Sequence, residues 1–239
     1  MIVGTSYFDG SIAILGLARS GMATARALMA GGNQVLAWDD SPERVKAAAQ
    51  AGIPVQKGPD FDWRGIAVLV PSPGIPLNHS TMVSARTAGV DILGDVEILW
   101  RAMSERQFVG ITGTNGKSTT TALIGHILDH ARQTVQTGGN LGTPALSLDA
   151  LWAEGTYVLE MSSFQLDLTP AMSFDIAVLL NITPDHLDRH GSMNAYITAK
   201  RNIFRPGKLK TAVVGIDGPD SLRIYKELCL RDGLDVIPV

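Results

Sequence analysis

A glycine-rich segment in the middle of the chain has the residue types that bind a triphosphate. Gly110–Thr119 reads GITGTNGKST and lies between an apolar stretch and an amphipathic one, which indicates a strand, a loop and a helix in that order. Glycines let backbone N–H groups approach phosphate oxygens, and the beginning of the helix adds partial positive charge. Lys117 offers a mobile charge for the outer phosphates, and Ser118 offers a hydroxyl for Mg²⁺. The strict pattern has a glycine where this chain has Ile111, so a glycine-rich turn with an exposed lysine is the alternative.

An acidic residue at the end of another strand supports an ATP site. Glu160 follows the apolar residues 157–159, and ligands of parallel sheets collect at the carboxyl ends of strands. Mg²⁺ takes hard oxygen ligands, usually one or two carboxylates together with phosphate. We therefore expect Glu160 to bind the magnesium ion of a bound ATP. The residues expected to bind ATP itself are Gly113, Thr114, Asn115, Gly116, Lys117, Ser118 and Thr119.

A polar cluster follows a third apolar strand. The segment 181–190 reads NITPDHLDRH and holds two acids and two histidines, Asp185, His186, Asp188 and His190. These residue types are consistent with metal or phosphate handling, and a solvated loop that caps a helix is the alternative. Lys200 lies on the helix that follows, where an isolated lysine is by default a surface residue.

A second glycine loop lies near the beginning of the chain. Gly16–Gly21 follows a strand and opens a helix, and Asp39 closes the next strand about twenty residues later. This arrangement resembles a dinucleotide fingerprint, but Ala18 stands where the second glycine belongs. The pattern indicates a nucleotide-like ligand at a helix N-terminus, which Ser72–Gly74 could complete, or a purely structural turn between strand and helix.

Short apolar runs alternate with amphipathic stretches along the whole chain, which predicts parallel sheets covered on both faces by helices. The expected fold class is α/β, with a Rossmann-like domain followed by an incomplete, doubly wound domain of the P-loop type. Strands are expected at 11–15, 34–38, 66–70, 108–112, 134–136, 157–161, 176–181, 212–216 and 235–237. Helices are expected at 22–30, 42–51, 79–88, 95–103, 117–130, 193–204 and 220–231.

The polar stretch 104–107 precedes the strand of the ATP loop and suggests a domain boundary. We expect a substrate-binding domain at 1–93, a linker at 94–107 and an ATP-binding domain at 108–239. The sheet of the second domain looks unfinished at Val239, so we expect a portion of a longer protein.

Composition excludes several classes of protein. The 239 residues carry a net charge of −3, so no global positive field attracts nucleic acid or an anionic membrane. The apolar stretch 12–30 is interrupted by Arg19 and Arg26, and no run is long enough to cross a bilayer. The single cysteine, Cys229, excludes an intramolecular disulfide and fits a reducing compartment. We expect a monomeric, soluble, cytoplasmic protein.

Taken together, these residues resemble the muramyl (Mur) ligases of peptidoglycan synthesis. The similar pieces include the ATP loop, residues 139–142 (GNLG), 185–188 (DHLD) and Ala199 with Lys200. Residues 159–166 (LEMSSFQL), 72–75 (SPGI) and 94–97 (GDVE) are most similar to the member of the family that adds D-glutamate. The resemblance spans essentially the whole chain.

The resemblance implies a role for each site residue. It places the UDP part of the substrate on Arg19, Ser20, Asp39 and Gly74, although the residue type at the position of Arg19 varies. It places the muramoyl-peptide part on Asn140, Ser162 and His186. One Mg²⁺ belongs to Ser118 and Glu160 and a second to His186 and a carbamylated Lys200. The implied catalytic residues are Lys117, His186 and Lys200.

The implied reaction uses ATP to activate the carboxylate of UDP-N-acetylmuramoyl-L-alanine as an acyl phosphate, which D-glutamate then attacks. The resemblance implies a longer central domain and a third domain, and we expect this chain to hold only part of the first of these and none of the second. We therefore expect the chain alone to bind the UDP substrate but to ligate poorly or not at all. The alternatives are a sister ligase, such as another muramyl ligase or folylpolyglutamate synthase, and a UDP-sugar-binding module without catalysis.

Overall fold

The computed structural model describes residues 9–140 and 142–239. The chain forms two compact units, one that extends to Ala102 and includes Pro144–Ala150, and one made of Met103–Thr143 and Leu151–Val239. The helix expected at 95–103, within the predicted linker, therefore lies in the first unit up to Ala102. Residues 144–150, which we expected in the second domain, also belong to the first unit. The functional division into a substrate domain and an ATP domain stays a prediction.

The first unit is a four-stranded parallel sheet with helices between its strands. The strand order is β2-β1-β3-β4, and its buried centre is formed by apolar residues of β1 and β3 such as Ile12, Ile14, Val68 and Leu69. Its elements are β1 (Ser11–Leu15), α1 (Arg19–Ala30), β2 (Val35–Trp38), α2 (Pro42–Gln50), β3 (Ile66–Pro71), α3 (Ser80–Thr87), β4 (Asp91–Ile92) and α4 (Asp95–Ala102).

The second unit contains a six-stranded parallel sheet in the order β10-β9-β8-β5-β7-β6. Its elements are β5 (Gln107–Thr112), α5 (Lys117–His130), β6 (Val135–Gly139), β7 (Thr156–Glu160), α6 (Ser163–Asp167), β8 (Ile176–Leu179), α7 (Leu187–His190), α8 (Met193–Arg201), β9 (Thr211–Val214), α9 (Pro219–Leu228) and β10 (Asp235–Pro238). The expected α/β class with parallel sheets is confirmed.

Most predicted elements are present, and the differences have local causes. Helix α1 begins at Arg19 rather than at residue 22. Ala18 is the last residue with an extended backbone, so the second half of the glycine loop is already the first turn of the helix. The α-helix expected to reach residue 204 ends at Arg201, and Asn202–Phe204 continues as a 3₁₀ turn. Helix α6 was missed because its five residues are too few to show a helical period.

Helix α5 lies against the sheet at a position where a side chain would meet that of Thr137 on β6. Its apolar residues Ile124 and Leu128 pack on a buried cluster that includes Val109 and Val158 of the central strands. A Cβ atom at Gly125 would come within 2.2 Å of the Thr137 Cγ2 on β6. The close approach of α5 to β6 therefore depends on the missing side chain at Gly125.

We predict that Gly125→Ala destabilises the protein. Overpacking typically costs about 1–3 kcal/mol, which exceeds the gain of about 1 kcal/mol from alanine as a helix former. Urea unfolding followed by circular dichroism should show a lower midpoint for this variant. Adding Thr137→Ser removes the clashing methyl group and should recover most of the loss. A Gly125→Ala midpoint equal to or above that of the parent would contradict this packing argument.

Candidate functional site

The predicted ATP residues lie at the carboxyl ends of the central strands of the second unit. Strand β5 lies between β7 and β8. From β5 the chain forms β6 and β7 to one side of β5 in the strand order, and it then crosses over to form β8 on the other side of β5. This reversal of direction opens a crevice, which is where open α/β sheets bind ligands. The glycine loop after β5, Glu160 at the end of β7 and Asn181 after β8 meet at this edge.

The glycine loop ends at a residue that needs a left-handed backbone. Gly116 has φ of 83° and directly precedes the first turn of α5. An L-residue rarely adopts this conformation, whereas glycine adopts it without a steric cost. The turn brings the loop directly into the beginning of a fourteen-residue helix, whose first N–H groups have no partners within the helix itself.

Asn181 holds the glycine loop in place, a role that sequence reasoning did not assign. Its backbone oxygen accepts a hydrogen bond from the Thr114 amide at 3.0 Å, and its side-chain oxygen accepts one from the Asn115 amide at 2.9 Å. Its side-chain amide also donates to the Asn115 carbonyl at 3.2 Å. Two of the loop amides expected to face phosphate are thus engaged by Asn181. The amides at the beginning of α5 become the better candidates for phosphate binding.

The Thr114 hydroxyl makes a second connection between the loop and its surroundings. It donates to the Thr183 carbonyl at 3.0 Å and accepts from the Thr183 amide at 2.9 Å. It also lies 3.0 Å from the hydroxyl of the buried Tyr196. The only sequence signal for Tyr196 is its spacing, because it precedes Lys200 by four residues and therefore lies on the same face of α8.

Two lysines converge on one carbonyl oxygen of the loop. Lys117 Nζ donates to the oxygens of Gly113 and Thr114 at 3.0 and 2.9 Å. Lys200 Nζ donates to the same Gly113 oxygen at 2.7 Å, and Lys200 is only 2% exposed rather than the surface residue of the default interpretation. Burial, and then the charge of Lys117, lower the pKa of Lys200 to about 7, while Asp185 acts in the opposite direction. Near neutral pH a large share of Lys200 is therefore an uncharged amine.

Ser118 and Glu160 line one cavity of about 240 Å³ between α5 and the ends of β6 and β7. Glu160 is buried, and its Oε1 accepts a hydrogen bond from the Asn140 side-chain amide at 2.8 Å. The two residues predicted to share a magnesium ion thus face a common space.

A second cavity, of about 230 Å³, gathers the other predicted residues. Its lining comprises Lys117, Asn140, Ser162, Ser163, Phe164, Asp185, His186, Tyr196 and Lys200. All three residues predicted to be catalytic lie here. The two residues assigned to the second metal, His186 and Lys200, also share this cavity.

The turn that carries His186 is strained and packs on an aromatic ring. His186 has φ of 52°, which is uncommon outside glycine. The Phe164 ring lies 5.1 Å from the His186 ring and 5.2 Å from the His190 ring, and the Arg189 guanidinium lies 3.7 Å above it. His190 Nε2 lies 2.9 Å from the Ser163 hydroxyl, and burial lowers the pKa of His190. Phe164 and Ser163, which were not assigned individually, thus support the histidine turn.

Ser162 has a structural function in addition to the predicted one. Its hydroxyl accepts from the Gln165 amide at 3.3 Å and its amide donates to the Gln165 side chain at 3.1 Å, which is a capping box at the beginning of α6. The cap positions Ser162 at the cavity. Its contact with substrate stays a prediction.

The first unit brings its predicted residues to the carboxyl ends of β1, β2 and β3. Arg19 is exposed and Ser20 half-buried in the first turn of α1, and Gly74 is exposed in the loop after β3. Asp39 is buried, and its two oxygens accept from the amides of Leu17 and Ser41 at 2.6 and 2.8 Å. Asp39 therefore braces the glycine loop, and direct contact of Asp39 with a ligand stays a prediction.

The donor set of the second unit fits magnesium that arrives with a nucleotide. Within residues 9–140 and 142–239, no group of three or more histidine, cysteine and acidic side chains could hold a metal by itself. Mg²⁺ usually keeps several waters and binds one or two carboxylates plus phosphate oxygens, and Ser118 with the buried Glu160 offers a donor set of that kind.

Among the described helices, none is both long and apolar enough to cross a membrane.

Comparison with known proteins identifies similar sequences and folds. A family model, the Mur ligase middle domain, matches residues 111–231. The UDP-N-acetylmuramoylalanine–D-glutamate ligase of Rhodospirillum rubrum is 52% identical over 243 residues, covering 98% of this chain and 51% of that protein. The enzyme of the same name from Phenylobacterium zucineum is 45% identical, covering 100% of this chain and 53% of that protein. The chain thus spans about half the length of these curated relatives.

Solved structures show the same fold. A UDP-N-acetylmuramate:L-alanyl-gamma-D-glutamyl-meso-diaminopimelate ligase from Neisseria meningitides matches with a TM-score of 0.63 at 16% identity, covering 96% of this chain and 77% of that one. UDP-N-acetylmuramate-alanine ligase from Thermotoga maritima matches with a TM-score of 0.56 at 22% identity, covering 90% and 51%.

Asp167, at the end of α6, gives this region a pH dependence. Burial raises the pKa of Asp167 to about 6, more than the nearby Arg189 and Arg205 lower it. Because the folded pKa is higher than that of an unfolded aspartate, this group's contribution to stability is greatest below pH 4 and is lost as the pH rises through 6.

We predict that Asp167→Asn raises the melting temperature more at pH 8 than at pH 5, because it removes a half-buried charge that is largely absent at the lower pH. The difference should be about 2–4 °C, allowing for partial solvent screening. Thermal unfolding by circular dichroism at the two pH values measures it. The exposed Asp232→Asn serves as the control and should show a difference near zero. An equal or reversed pH effect for Asp167→Asn would show that Asp167 is ionised without penalty.

Proposed function

The chain belongs to the Mur ligase family, and we propose that it supplies the substrate-binding and ATP-binding units of a ligase that adds D-glutamate to UDP-N-acetylmuramoyl-L-alanine. The observation that carries this proposal is that Ser118 and Glu160 line one cavity, while Lys117, His186 and Lys200 line a second at the same sheet edge. The relatives at 45–52% identity that bear the name of that activity support the choice of substrate. We place the protein in the cytoplasm, where its nucleotide substrates occur, and propose that it acts as a monomer.

In this proposal the triphosphate lies at the beginning of α5, where the helix N-terminus favours anions. Lys117 leaves the carbonyls of Gly113 and Thr114 and binds the outer phosphates, exchanging two neutral acceptors for a charged one. Ser118 and Glu160 would hold a magnesium ion, which would supply neutralisation of the phosphate charge. Lys200 keeps the Gly113 carbonyl in place when Lys117 moves.

The proposed reaction has two steps. First, a carboxylate oxygen of the alanyl group attacks the γ-phosphorus of ATP, an O–P bond forms and ADP leaves. Second, the amine of D-glutamate attacks the acyl carbon, phosphate leaves and the amine loses a proton. Asn140, Ser162 and His186 line the cavity in which the muramoyl-alanine end must lie for this transfer. Positioning of two negatively charged reactants is the main contribution of such a site.

The first unit binds the UDP part of the substrate in this proposal. Arg19 and Ser20 lie in the first turn of α1, and Gly74 belongs to an exposed loop at the same sheet edge. The beginning of α1 is suited to a diphosphate. Asp39 contributes by holding the loop through the amides of Leu17 and Ser41.

Ligand preference tests this function. We expect calorimetry to show that the chain binds UDP-N-acetylmuramoyl-L-alanine, and separately a non-hydrolysable ATP analogue with Mg²⁺. Lys117→Met should weaken binding of the analogue at least tenfold, because it removes a charge-assisted contact. It should leave the binding of UDP itself, which we place on the first unit, unchanged.

The other outcomes separate the alternatives. UDP-substrate binding without any nucleotide affinity would favour a binding module without catalysis. Nucleotide binding with a preference for another peptide precursor would favour a sister ligase. D-Glutamate-dependent phosphate release by this chain alone would contradict the expectation that it ligates poorly or not at all.

We further propose that Lys200 is carbamylated and that its new oxygens serve a second magnesium ion beside His186. Only a neutral amine attacks CO₂, forming an N–C bond and releasing a proton. With its pKa lowered to about 7, Lys200 is largely neutral at pH 7.5, whereas an ordinary lysine with a pKa of about 10.4 is not.

We predict one carbamate signal in the ¹³C NMR spectrum of the protein incubated with ¹³C-bicarbonate at pH 7.5. The signal should disappear in Lys200→Met and persist in Lys226→Met, which alters an exposed lysine of α9. Absence of the signal from the parent protein, or its persistence in Lys200→Met, would refute carbamylation of Lys200.

A further inference from the structure

Two histidines lie one turn apart near the end of α5 that is remote from the glycine loop. His126 and His130 are both exposed, and α5 ends at His130. Ile124 and Leu128 pack on the buried cluster of the sheet from the inner side of the helix. Two positions along a helix correspond to a rotation of about 200°, so both imidazoles lie on the face of α5 that points away from the sheet.

The two imidazole rings lie next to each other. Their centroids are 6.2 Å apart, and the ring planes make an angle of 28°. Within the described part of the chain, neither ring takes part in a hydrogen bond or an ion pair. A neutral imidazole has one nitrogen with a lone pair that can bind a metal, so the pair offers two such nitrogens to an external ion.

The spacing of the two histidines suits the chelation of one metal ion. Side chains at i and i+4 of a helix are neighbours, and two histidines with this spacing on one helix are known to bind zinc. Zn–N bonds of about 2.0–2.1 Å at a tetrahedral angle place the two nitrogens roughly 3.4 Å apart. Because each nitrogen lies on the rim of its ring, a small rotation of the two side chains brings rings 6.2 Å apart to that separation.

The type of ligand selects the class of ion. Imidazole nitrogens bind Zn²⁺, Cu²⁺ and Ni²⁺, whereas Mg²⁺ takes hard oxygen ligands. The exposed Asp129, three residues after His126, adds negative charge near the pair, which favours a cation. Residues 9–140 and 142–239 contain no group of three or more histidine, cysteine and acidic side chains that could hold a metal. Water would therefore complete the coordination of an ion on the two rings.

We propose that His126 and His130 form a surface site for a divalent transition-metal ion such as Zn²⁺, to which each ring gives one nitrogen. The site does not depend on the proposed function, because neither histidine is among the described residues that line the two cavities. An ion held by both rings links the last two turns of α5 and thereby stabilises the folded state.

Calorimetry of the full chain with Zn²⁺, in excess Mg²⁺ at pH 7.5, tests this site. We expect a Zn²⁺ site whose affinity falls at least tenfold in His126→Gln and likewise in His130→Gln, because each variant keeps only one of the two imidazoles. Glutamine is a good helix former, so circular dichroism of both variants should match that of the parent. Zn²⁺ should raise the melting temperature of the parent more than that of either variant.

Exchanging two neighbouring residues gives a matched control. His130→Ala combined with Ala131→His keeps the composition and the number of histidines, but it moves the second imidazole to the position five residues after His126. That position lies off the shared face, so the affinity for Zn²⁺ should fall as it does in the single variants. Glu160→Gln alters the magnesium site of the proposed function and should leave this Zn²⁺ binding unchanged.

The opposite results would overturn the inference. Absence of Zn²⁺ binding by the parent, or parental affinity in His126→Gln, in His130→Gln or in the exchange variant, would show that the two rings do not chelate an ion. Loss of the same Zn²⁺ binding in Glu160→Gln would assign the ion to the cavity of Ser118 and Glu160 instead.

Discussion

The contact of two lysines with the Gly113 carbonyl organises the second unit. Two ammonium groups on one oxygen repel each other, and burial adds a penalty for the charged form of Lys200. The arrangement is tolerable because Lys200 can lose its proton and because Lys117 can leave. The same contact therefore explains the lowered pKa of Lys200, and it holds Lys117, the lysine that we propose binds phosphate, on the carbonyls of its own loop.

The rest of the site consists of supports for that contact. Asn181 and Thr114 hold the glycine loop from the side of β8, so that the Gly113 carbonyl points consistently at Lys200. Phe164 and Ser163 hold the histidine turn from the side of α6. Asn140 lines one cavity and Glu160 lines the other, and the hydrogen bond between their side chains joins the two. The proposed sites for the cation and for the substrate carboxylate are therefore neighbours.

Part of this could be predicted from the sequence, and the reason differs between residues. Helix α5 was predicted with its observed bounds, because Gly116 and Lys117 mark its beginning and its apolar residues keep a helical period. That Ser118 and Glu160 lie at one sheet edge was predictable, because Ser118 comes just after the loop that follows β5 and Glu160 ends β7; their binding of a metal stays a prediction. Lys200 could not be assigned without a resemblance, since its burial depends on a contact with a residue 87 positions away. Asn181 carries no local signal, because its role arises only when the loop after β8 is packed against the glycine loop after β5.

A crystal structure with Mg²⁺ and a non-hydrolysable ATP analogue would test the central claim most directly. The account predicts that Lys117 Nζ leaves the oxygens of Gly113 and Thr114 for a phosphate oxygen, while Lys200 Nζ stays on Gly113. A nucleotide bound elsewhere, with Lys117 still on both carbonyls, would contradict it.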